Sequence, residues 1–512
     1  MHLFLYGPPG TGKSTIGNII ARSLKLPFVD LDRVIEEATD MPISEIMERQ
    51  GESAFRDLET AALKKTVNHA LSVSDSQDKV IALGGGALLR PDNRAFAESR
   101  GRIIVLMADV DTLFQRLYES PNKRPLLVGN LREKLTTLLE TRREHYNSFP
   151  LKLDVGDKTA GQNAHRAQVL LGRHHLSAMG EYDVIVDQVS DLANFPVQKP
   201  IIVTDSNVAK FQLENIKRVI GHDIPHIIIS AGEKNKNLET VSVLWKAFIE
   251  HGLDRKSTVI ALGGGTVSDM AGFAASTYMR GIDWIVIPTT LLAMVDASLG
   301  GKTGIDLPEG KNLIGSFHPP KLVLADPAFL RTLSSRELRS GMAEVVKHGI
   351  IADSELFAMC SRGMDWVRDN LEDVVKRAMA VKIKIIEEDP YEKGVRAMLN
   401  LGHTVGHAVE HVSGFTLSHG EAVAIGMAAE ASYAVRVGVA TQGLDEAMAE
   451  TLSGLGLPIH ISKELPREEI IRAMRVDKKK TAQSIRFALP VEIEKVELVD
   501  VEDLESVLDD GQ

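Results

Sequence analysis

Leu3-Phe-Leu-Tyr6 runs into Gly7-Pro-Pro-Gly10-Thr11-Gly12-Lys13-Ser14-Thr15, and Ile16, Ile19, Ile20 and Leu24 follow at helical spacing. A strand, a glycine-rich turn and a helix in that order carry G-x-x-x-x-G-K-S, which predicts a parallel α/β unit with a phosphate-binding loop. The chemistry needs these residue types. Glycines let successive backbone N–H groups turn inward around phosphate oxygens, and the helix N-terminus adds positive potential. Lys13 can reach the β- and γ-phosphates, and the Ser14 hydroxyl can ligate magnesium. Gly10, Thr11, Gly12, Lys13, Ser14 and Thr15 are therefore the candidate nucleotide contacts.

A chain of 512 residues exceeds one ordinary core, so roughly two to four domains are expected. Hydrophobic residues at 44% and charged residues at 25% fit a globular protein. The net charge of −11 argues against nucleic-acid and anionic-membrane partners, so groups that hold anionic ligands must be focused in clefts. Cys360 is the single cysteine, which excludes intrachain disulfides and suits a reducing compartment. The opening lacks a basic n-region with a cleavage site, and the most apolar run, Trp284 to Ala297, is interrupted by Pro288 and Asp296. A cytoplasmic protein is expected.

Further features surround the loop. Phe28-Val-Asp30-Leu-Asp32 reads as a strand end with two carboxylates on one side. Phe55-Arg56-Asp-Leu-Glu59 sets a buried aromatic beside an arginine and a glutamate, and Val80-Ile-Ala-Leu-Gly84-Gly85-Gly86 ends a strand in three glycines. Asn122-Lys-Arg124-Pro125 opens a rigid, basic loop suited to a lid. Each alone is more often a solvated charge or a turn. Together, over about Met1 to Gly172, they resemble shikimate kinase. That resemblance implies ATP and magnesium, with Ser14 and Asp30 on the metal and Arg124 as the lid arginine on ATP. It implies shikimate on Asp32, Arg56, Gly84, Gly85, Gly86 and Arg142, the last with Arg143 as an adjacent competitor. Lys13, Asp32 and Arg124 are the implied catalytic groups.

Gly172 to Glu181 lacks periodicity and reads as a linker (173–181), with His174 and His175 as linker residues. A second α/β unit is expected over 182–330, followed by a mostly helical part over 331–512. Val259-Ile-Ala-Leu-Gly263-Gly264-Gly265 repeats Val80 to Gly86 letter for letter in a different context, and reads as a second use of one device: a buried strand delivering glycines to a phosphate. In the helical part, Arg396-Ala-Met-Leu-Asn400-Leu-Gly-His403-Thr-Val-Gly-His407 continues through Glu410-His411 to Ser418-His419-Gly-Glu421. His403, His407 and His411 would stack on one helix face, where a pair can close on a divalent metal. No glutamate follows His403 as the H-E-x-x-H signature requires, so spacing alone favours a polar helix face of solvated or core-satisfied histidines.

G-M-A-E-V-V-K-H from Gly341, L-N-L-G-H-T-V-G-H from Leu399 and H-G-E-A-V from His419 resemble 3-dehydroquinate synthase. The resemblance covers the chain from about Tyr182 to the Arg486-Phe-Ala-Leu strand. It implies a zinc or cobalt site of Glu344, His403 and His419. It implies NAD on Asp205, Asn207, Glu233, Lys236, Gly264, Gly265, Asp269, Thr289 and Thr290. The implied substrate set is Asp296, Lys302, Asn312, Lys347, Lys382, Glu392, Arg396, Asn400 and His407, of which Lys302, Lys347 and His407 are the candidate catalytic groups. Arg280 reaches a neighbouring subunit's phosphate in the family, which implies a homodimer. The Asp477-Lys478-Lys479-Lys480 run leaves the register of a second phosphate contact open, with Lys479 favoured. His411 falls back to the plain reading of a solvated or core-satisfied histidine.

The expectation is thus a bifunctional enzyme: ATP-dependent phosphorylation of shikimate, and conversion of 3-deoxy-D-arabino-heptulosonate 7-phosphate to 3-dehydroquinate and phosphate through a redox cycle that nets to nothing. The alternative is a P-loop regulatory module fused to a metal-dependent alcohol or glycerol dehydrogenase.

Overall fold

The computed structural model describes all residues except 69–77, 120–129, 221–223, 393, 478–483 and 510–512. The chain divides into two compact units, Met1–His175 and Leu176–Gln512. No helix of the described residues is long and apolar enough to cross a membrane.

The first unit is a five-stranded parallel sheet in the order β2 (Phe28–Asp30), β3 (Val80–Ala82), β1 (His2–Tyr6), β4 (Gly101–Met107), β5 (Leu151–Asp154). Leu3, Phe4, Leu5 and Tyr6 are all buried, as in a strand covered on both faces. Their alternation sorts them. Phe4 and Tyr6 pack with Leu31, Phe55 and Tyr146, while Leu3 and Leu5 pack with Ile16, Ile20 and Ala167. The phosphate loop leaves the central strand through Gly7 at φ 129°, where a Cβ would stand 2.2 Å from the Leu106 carbonyl oxygen. Only glycine fits that turn.

Two expectations for this unit need correction. Asp32 is not on a strand: β2 ends at Asp30, whose side chain caps the helix Leu31–Thr39 by accepting from the Asp32 N–H at 3.1 Å. An Asx cap outcompetes strand extension here. The expected aperiodic linker begins with a strand, β6 (Arg173–Leu176), in which His174 is buried and Arg173 pairs with Asp78.

The second unit holds parallel strands in the order β7 (Tyr182–Val186), β14 (Leu322–Ala325), β11 (Asp283–Pro288), β10 (Thr258–Gly263), β8 (Pro200–Asp205), β9 (His226–Ile229). Every residue of β10 is buried, as the apolar run Val259 to Leu262 requires of a central strand. A hairpin of β12 (Lys302–Leu307) and β13 (Gly310–Phe317) follows β11. Beyond it the chain is helical apart from a second hairpin, β15 (Ile485–Glu492) with β16 (Lys495–Val501).

Helices His403–Val412 and His419–Arg436 carry the histidines and meet nearly backbone to backbone. A Cβ at Gly426 would lie 2.0 Å from the Gly402 carbonyl oxygen, and one at Gly406 would lie 3.0 Å from that of Ala422. Buried Glu430 closes the junction by accepting from the Gly402 N–H at 2.6 Å, which satisfies a free donor at the first helix's N-terminus. Gly426→Ala is expected to force these helices apart and to cost about 1–3 kcal/mol of stability. Thermal unfolding checks this, and an unchanged midpoint would contradict it.

Candidate functional sites

In the first unit the groups gather at the carboxyl ends of β1, β2 and β3. The Lys13 ammonium donates to the Gly7 and Pro8 carbonyls at 2.8 and 2.9 Å, folding its side chain across the loop. Ser14 donates to the Asp30 carboxylate at 2.5 Å, so the two candidate magnesium ligands are adjacent. On the other side of Gly84–Gly86 stand Asp32, Arg56 and Glu59. A Cβ at Gly84 would fall 2.5 Å from Glu59 Oε1 and 3.1 Å from Asp32 Oδ1, and one at Gly86 would fall 2.5 Å from Arg56 Nη2. The triplet therefore makes room for a carboxylate–guanidinium cluster at Gly84 and Gly86, while Gly85 lies against the phosphate loop, its Cβ position 3.2 Å from the Gly7 carbonyl oxygen. Arg142 and the Tyr146 hydroxyl both donate to the Gly85 carbonyl, at 2.9 and 2.7 Å, while Arg143 is exposed. That geometry favours Arg142. Arg124 lies outside the described residues.

Glu59 was given no role above, although the F-R-x-x-E spacing puts it one turn from Arg56. It takes Arg56 Nη1 at 2.7 Å and is almost fully buried; burial raises its carboxyl pKa against the pull of Arg56. Its partner Arg56 is thereby aimed at the glycines.

In the second unit, Asp205 ends β8 and folds its carboxylate onto the Asn207 N–H at 2.7 Å. Gly264 leads into the helix Gly265–Thr277, so here the glycines do open a helix N-terminus; a Cβ at Gly264 would meet Thr290 Cγ2 at 3.0 Å. Buried Lys236 pairs with Asp269 at 2.6 Å and donates to Asn312 Oδ1 at 2.6 Å, which ties the expected nucleotide and substrate sets together. Burial lifts the Asp269 carboxyl to about 6 against the opposing Lys236. Thr266, unnoticed in sequence, donates to Glu233 at 2.6 Å. The Thr289 hydroxyl is buried without a hydrogen bond among the described residues.

Glu344 lies at the centre of the helical part, inaccessible to solvent. His403 Nε2 and His419 Nε2 approach its Oε1 at 3.5 and 3.6 Å, and the Lys347 ammonium pairs with Oε2. Neither carboxylate oxygen makes a well-directed hydrogen bond among the described residues, despite that close ammonium. His403 Nδ1 lies 3.1 Å from the Leu401 carbonyl, an acceptor only, so Nδ1 carries the proton and Nε2 keeps its lone pair. Two imidazole nitrogens and an unsatisfied carboxylate oxygen, all within 4.8 Å of one another, suit a divalent metal of the zinc or cobalt kind. The electrostatics agree. Burial and Lys347 hold His403 well below its usual range; burial alone would lower His419 too, but Glu344 and Glu410 hold it up at about 9. Glu344 resists burial and stays well below the carboxylate range through Lys347 and the two histidines.

His407 stands one turn beyond His403, their rings 5.1 Å apart. Lys382 pairs with Asp296, which burial would raise but Lys382 and Lys347 bring down to about 2. Lys302 pairs with Glu392 at 2.9 Å. Buried Arg396 donates to the Pro390 carbonyl, and Asn400 closes the turn Val395–Asn400. No described hydrogen bond or ion pair joins Arg280 to this group; it is exposed at φ 69°. Lys479 lies outside the described residues. His411 is exposed and touches Phe415, as a surface role requires.

Residues 9–169 match the shikimate kinase family, 226–340 the N-terminal region of 3-dehydroquinate synthase, and 341–480 its C-terminal region. The 3-dehydroquinate synthase of Nostoc punctiforme is 42% identical over 327 residues, 62% of this chain and 90% of that protein. That of Caldanaerobacter subterraneus is 43% identical over 62% of this chain and 92% of its own length. A solved structure of 2-epi-5-epi-valiolone synthase from Streptomyces hygroscopicus, with NAD+ and Zn2+ bound, is similar at a TM-score of 0.59 and 30% identity, covering 64% of this chain and 94% of its own. Fold and sites define a two-headed enzyme: a P-loop phosphotransferase unit followed by a parallel α/β unit with a helical histidine–glutamate centre. The chain belongs to the 3-dehydroquinate synthase family and carries a shikimate kinase domain ahead of the synthase. It is a kinase and a lyase in one polypeptide.

Two outcomes are expected. A metal entering beside Glu344 must displace the His419 proton, so its affinity should rise about tenfold per pH unit between about pH 6 and pH 8. Titration calorimetry in buffers of differing ionisation enthalpy measures this, and a pH-independent affinity would refute it. Gly86→Ala puts a methyl into the Arg56 guanidinium; the KM for shikimate should rise about tenfold or more while that for ATP holds.

Proposed function

We propose that the first unit transfers the γ-phosphoryl group of ATP to shikimate, giving shikimate 3-phosphate. The second unit converts 3-deoxy-D-arabino-heptulosonate 7-phosphate to 3-dehydroquinate and phosphate with NAD and zinc or cobalt. The convergence of His403, His419 and Lys347 on buried Glu344 carries the synthase reading.

In the kinase site, Lys13, now folded onto the loop carbonyls, swings to the β- and γ-phosphates, with Ser14 and Asp30 holding magnesium. Arg56, braced by Glu59, and Arg142 take the carboxylate of shikimate as guanidinium forks. Asp32 orients the acceptor hydroxyl toward the phosphoryl group. Gly10, Thr11, Gly12 and Thr15 line the phosphates, and Arg124 covers them.

In the synthase site, Asp205, Asn207, Glu233, Lys236, Gly264, Gly265, Asp269, Thr289 and Thr290 would hold NAD at the carboxyl ends of the parallel strands. When bound, the metal acidifies a substrate hydroxyl and NAD takes up and returns a hydride, so no net redox change remains. Lys302, Lys382, Arg396, Asn312 and Asn400 fix the substrate's carboxylate and ring oxygens, with Asp296 and Glu392 as their anionic counterparts. Lys347 compensates the charge on Glu344. His407, beside the metal ligands, faces the departing phosphate, so elimination occurs next to the redox centre. Arg280 and Lys479 complete a phosphate contact across a homodimer. The protein works in the cytoplasm on small anions, and its acidic net charge argues against a nucleic-acid partner.

The two activities should separate by mutation. Lys13→Ala is expected to abolish phosphoryl transfer to shikimate and spare phosphate release from the seven-carbon substrate, while Glu344→Ala does the reverse. Steady NADH accumulation during phosphate release would sink the synthase reading in favour of a net dehydrogenase.

A further inference from the structure

The helix Ser335–Ala352 presents Arg336, Ser340 and Glu344 at i, i+4 and i+8, along one face. Residues 416–421 meet that face in the opposite direction. Glu344 faces His419, whose Nε2 stands 3.6 Å from Oε1. One turn earlier, the buried Ser340 hydroxyl accepts the N–H of the following residue, Gly420, at 3.1 Å. A further turn back, Arg336 Nη2 donates to Glu421 Oε2 at 2.9 Å and to the Thr416 carbonyl at 2.7 Å. Glu421 Oε2 also accepts the Ser418 N–H at 2.7 Å, within the capping box that starts the helix His419–Arg436. Gly420 permits the approach, since a Cβ there would collide with the Ser340 carbonyl oxygen. His419 is therefore bracketed. The chain is held three residues before it and one and two residues after it, each time by the helix that carries Glu344. Neither Arg336 nor Ser340 belongs to the ligand sets assigned above.

We propose that Arg336 and Ser340 form a register clamp that sets the separation of two metal ligands, Glu344 and His419. Both are positioning residues: they hold the backbone and first turn around His419. The proposal rests on the metal site of Glu344, His403 and His419 assigned above. Register matters because the two ligands come from different helices. A slip of one residue carries a helical side chain about 1.5 Å along the axis, whereas a metal accepts ligand distances only within about 0.2 Å. Arg336 is half exposed, so its ion pair adds little to the stability of the fold. Its effect falls instead on where the His419 imidazole stands.

The test titrates the metal-free full chain with Co2+ alone and follows its visible absorption, which reports ligand geometry as well as affinity. Thermal unfolding of the metal-free chain is the second readout. Arg336→Met keeps the aliphatic stem and removes both donations. It should weaken Co2+ about 10–100-fold and shift the absorption band, while the metal-free unfolding midpoint stays close to that of the parent. Ser340→Ala should act in the same direction. Arg336→Lys, whose ammonium has donors for both acceptors, should recover most of the lost affinity and the parental band. An Arg336→Met chain with parental Co2+ affinity and band overturns the clamp. So does one whose metal-free midpoint collapses and whose Co2+ binding Arg336→Lys fails to recover, because Arg336 then serves the fold alone. A parent chain that binds no Co2+ overturns the metal assignment, and the clamp with it.

Discussion

The carboxylate of Glu344 is withdrawn from water, and a buried anion left alone would cost several kcal/mol. The second unit is arranged to answer that charge. Lys347 comes from the next turn of the same helix, and His403 and His419 come from two further helices. The answer is incomplete without a cation, because among the described residues both glutamate oxygens still lack well-directed hydrogen bonds and His419 is held protonated by the carboxylates around it. The site is therefore poised to exchange a proton for a metal. It can do so only because four glycines, Gly402, Gly406, Gly420 and Gly426, let the supporting backbones meet at distances no side chain would permit.

The kinase unit solves a related problem with different parts. Its buried carboxylate, Glu59, is balanced within the chain by Arg56, whose other terminal nitrogen donates to the more exposed Glu52 at 2.9 Å. Glycine again sets the distance, since Gly84 and Gly86 stand where a methyl would collide with Glu59 and Arg56. The same seven letters, Val-Ile-Ala-Leu-Gly-Gly-Gly, serve the synthase otherwise. There the third glycine starts a helix whose N-terminal N–H groups face the strand ends. A shared sequence device thus acquires its chemistry from what packs around it.

Much of this was legible in the residues. The phosphate loop, the two α/β patterns, the switch to helix after Leu330 and the grouping of Glu344, His403 and His419 all appear as expected. The errors have physical causes. Asp32 looked like a strand residue because i, i+2 carboxylates suit a pleat, but Asp30 caps a helix and ends the strand. Arg173 to Leu176 looked aperiodic because four residues are too few to show a period. Glu410, Lys311 and Glu430 carried no expected role because each acts on a partner far away in the chain: Glu410 on Lys311, Glu430 on the Gly402 N–H.

Local chemistry is written in the order of residues. A Gly-Lys-Ser turn, a helical histidine face or an alternating strand needs only its neighbours, so the sequence by itself determined the two folds, the reaction classes and the grouping of Glu344, His403 and His419. What the tertiary structure alone decided is which charges meet. Lys236 joins Asp269 to Asn312, Lys311 reaches Glu410, and Arg142 rather than Arg143 turns to Gly85. These pairings depend on close packing between distant segments, and on buried polar groups that must find partners once water is gone. No spacing along the chain encodes that requirement.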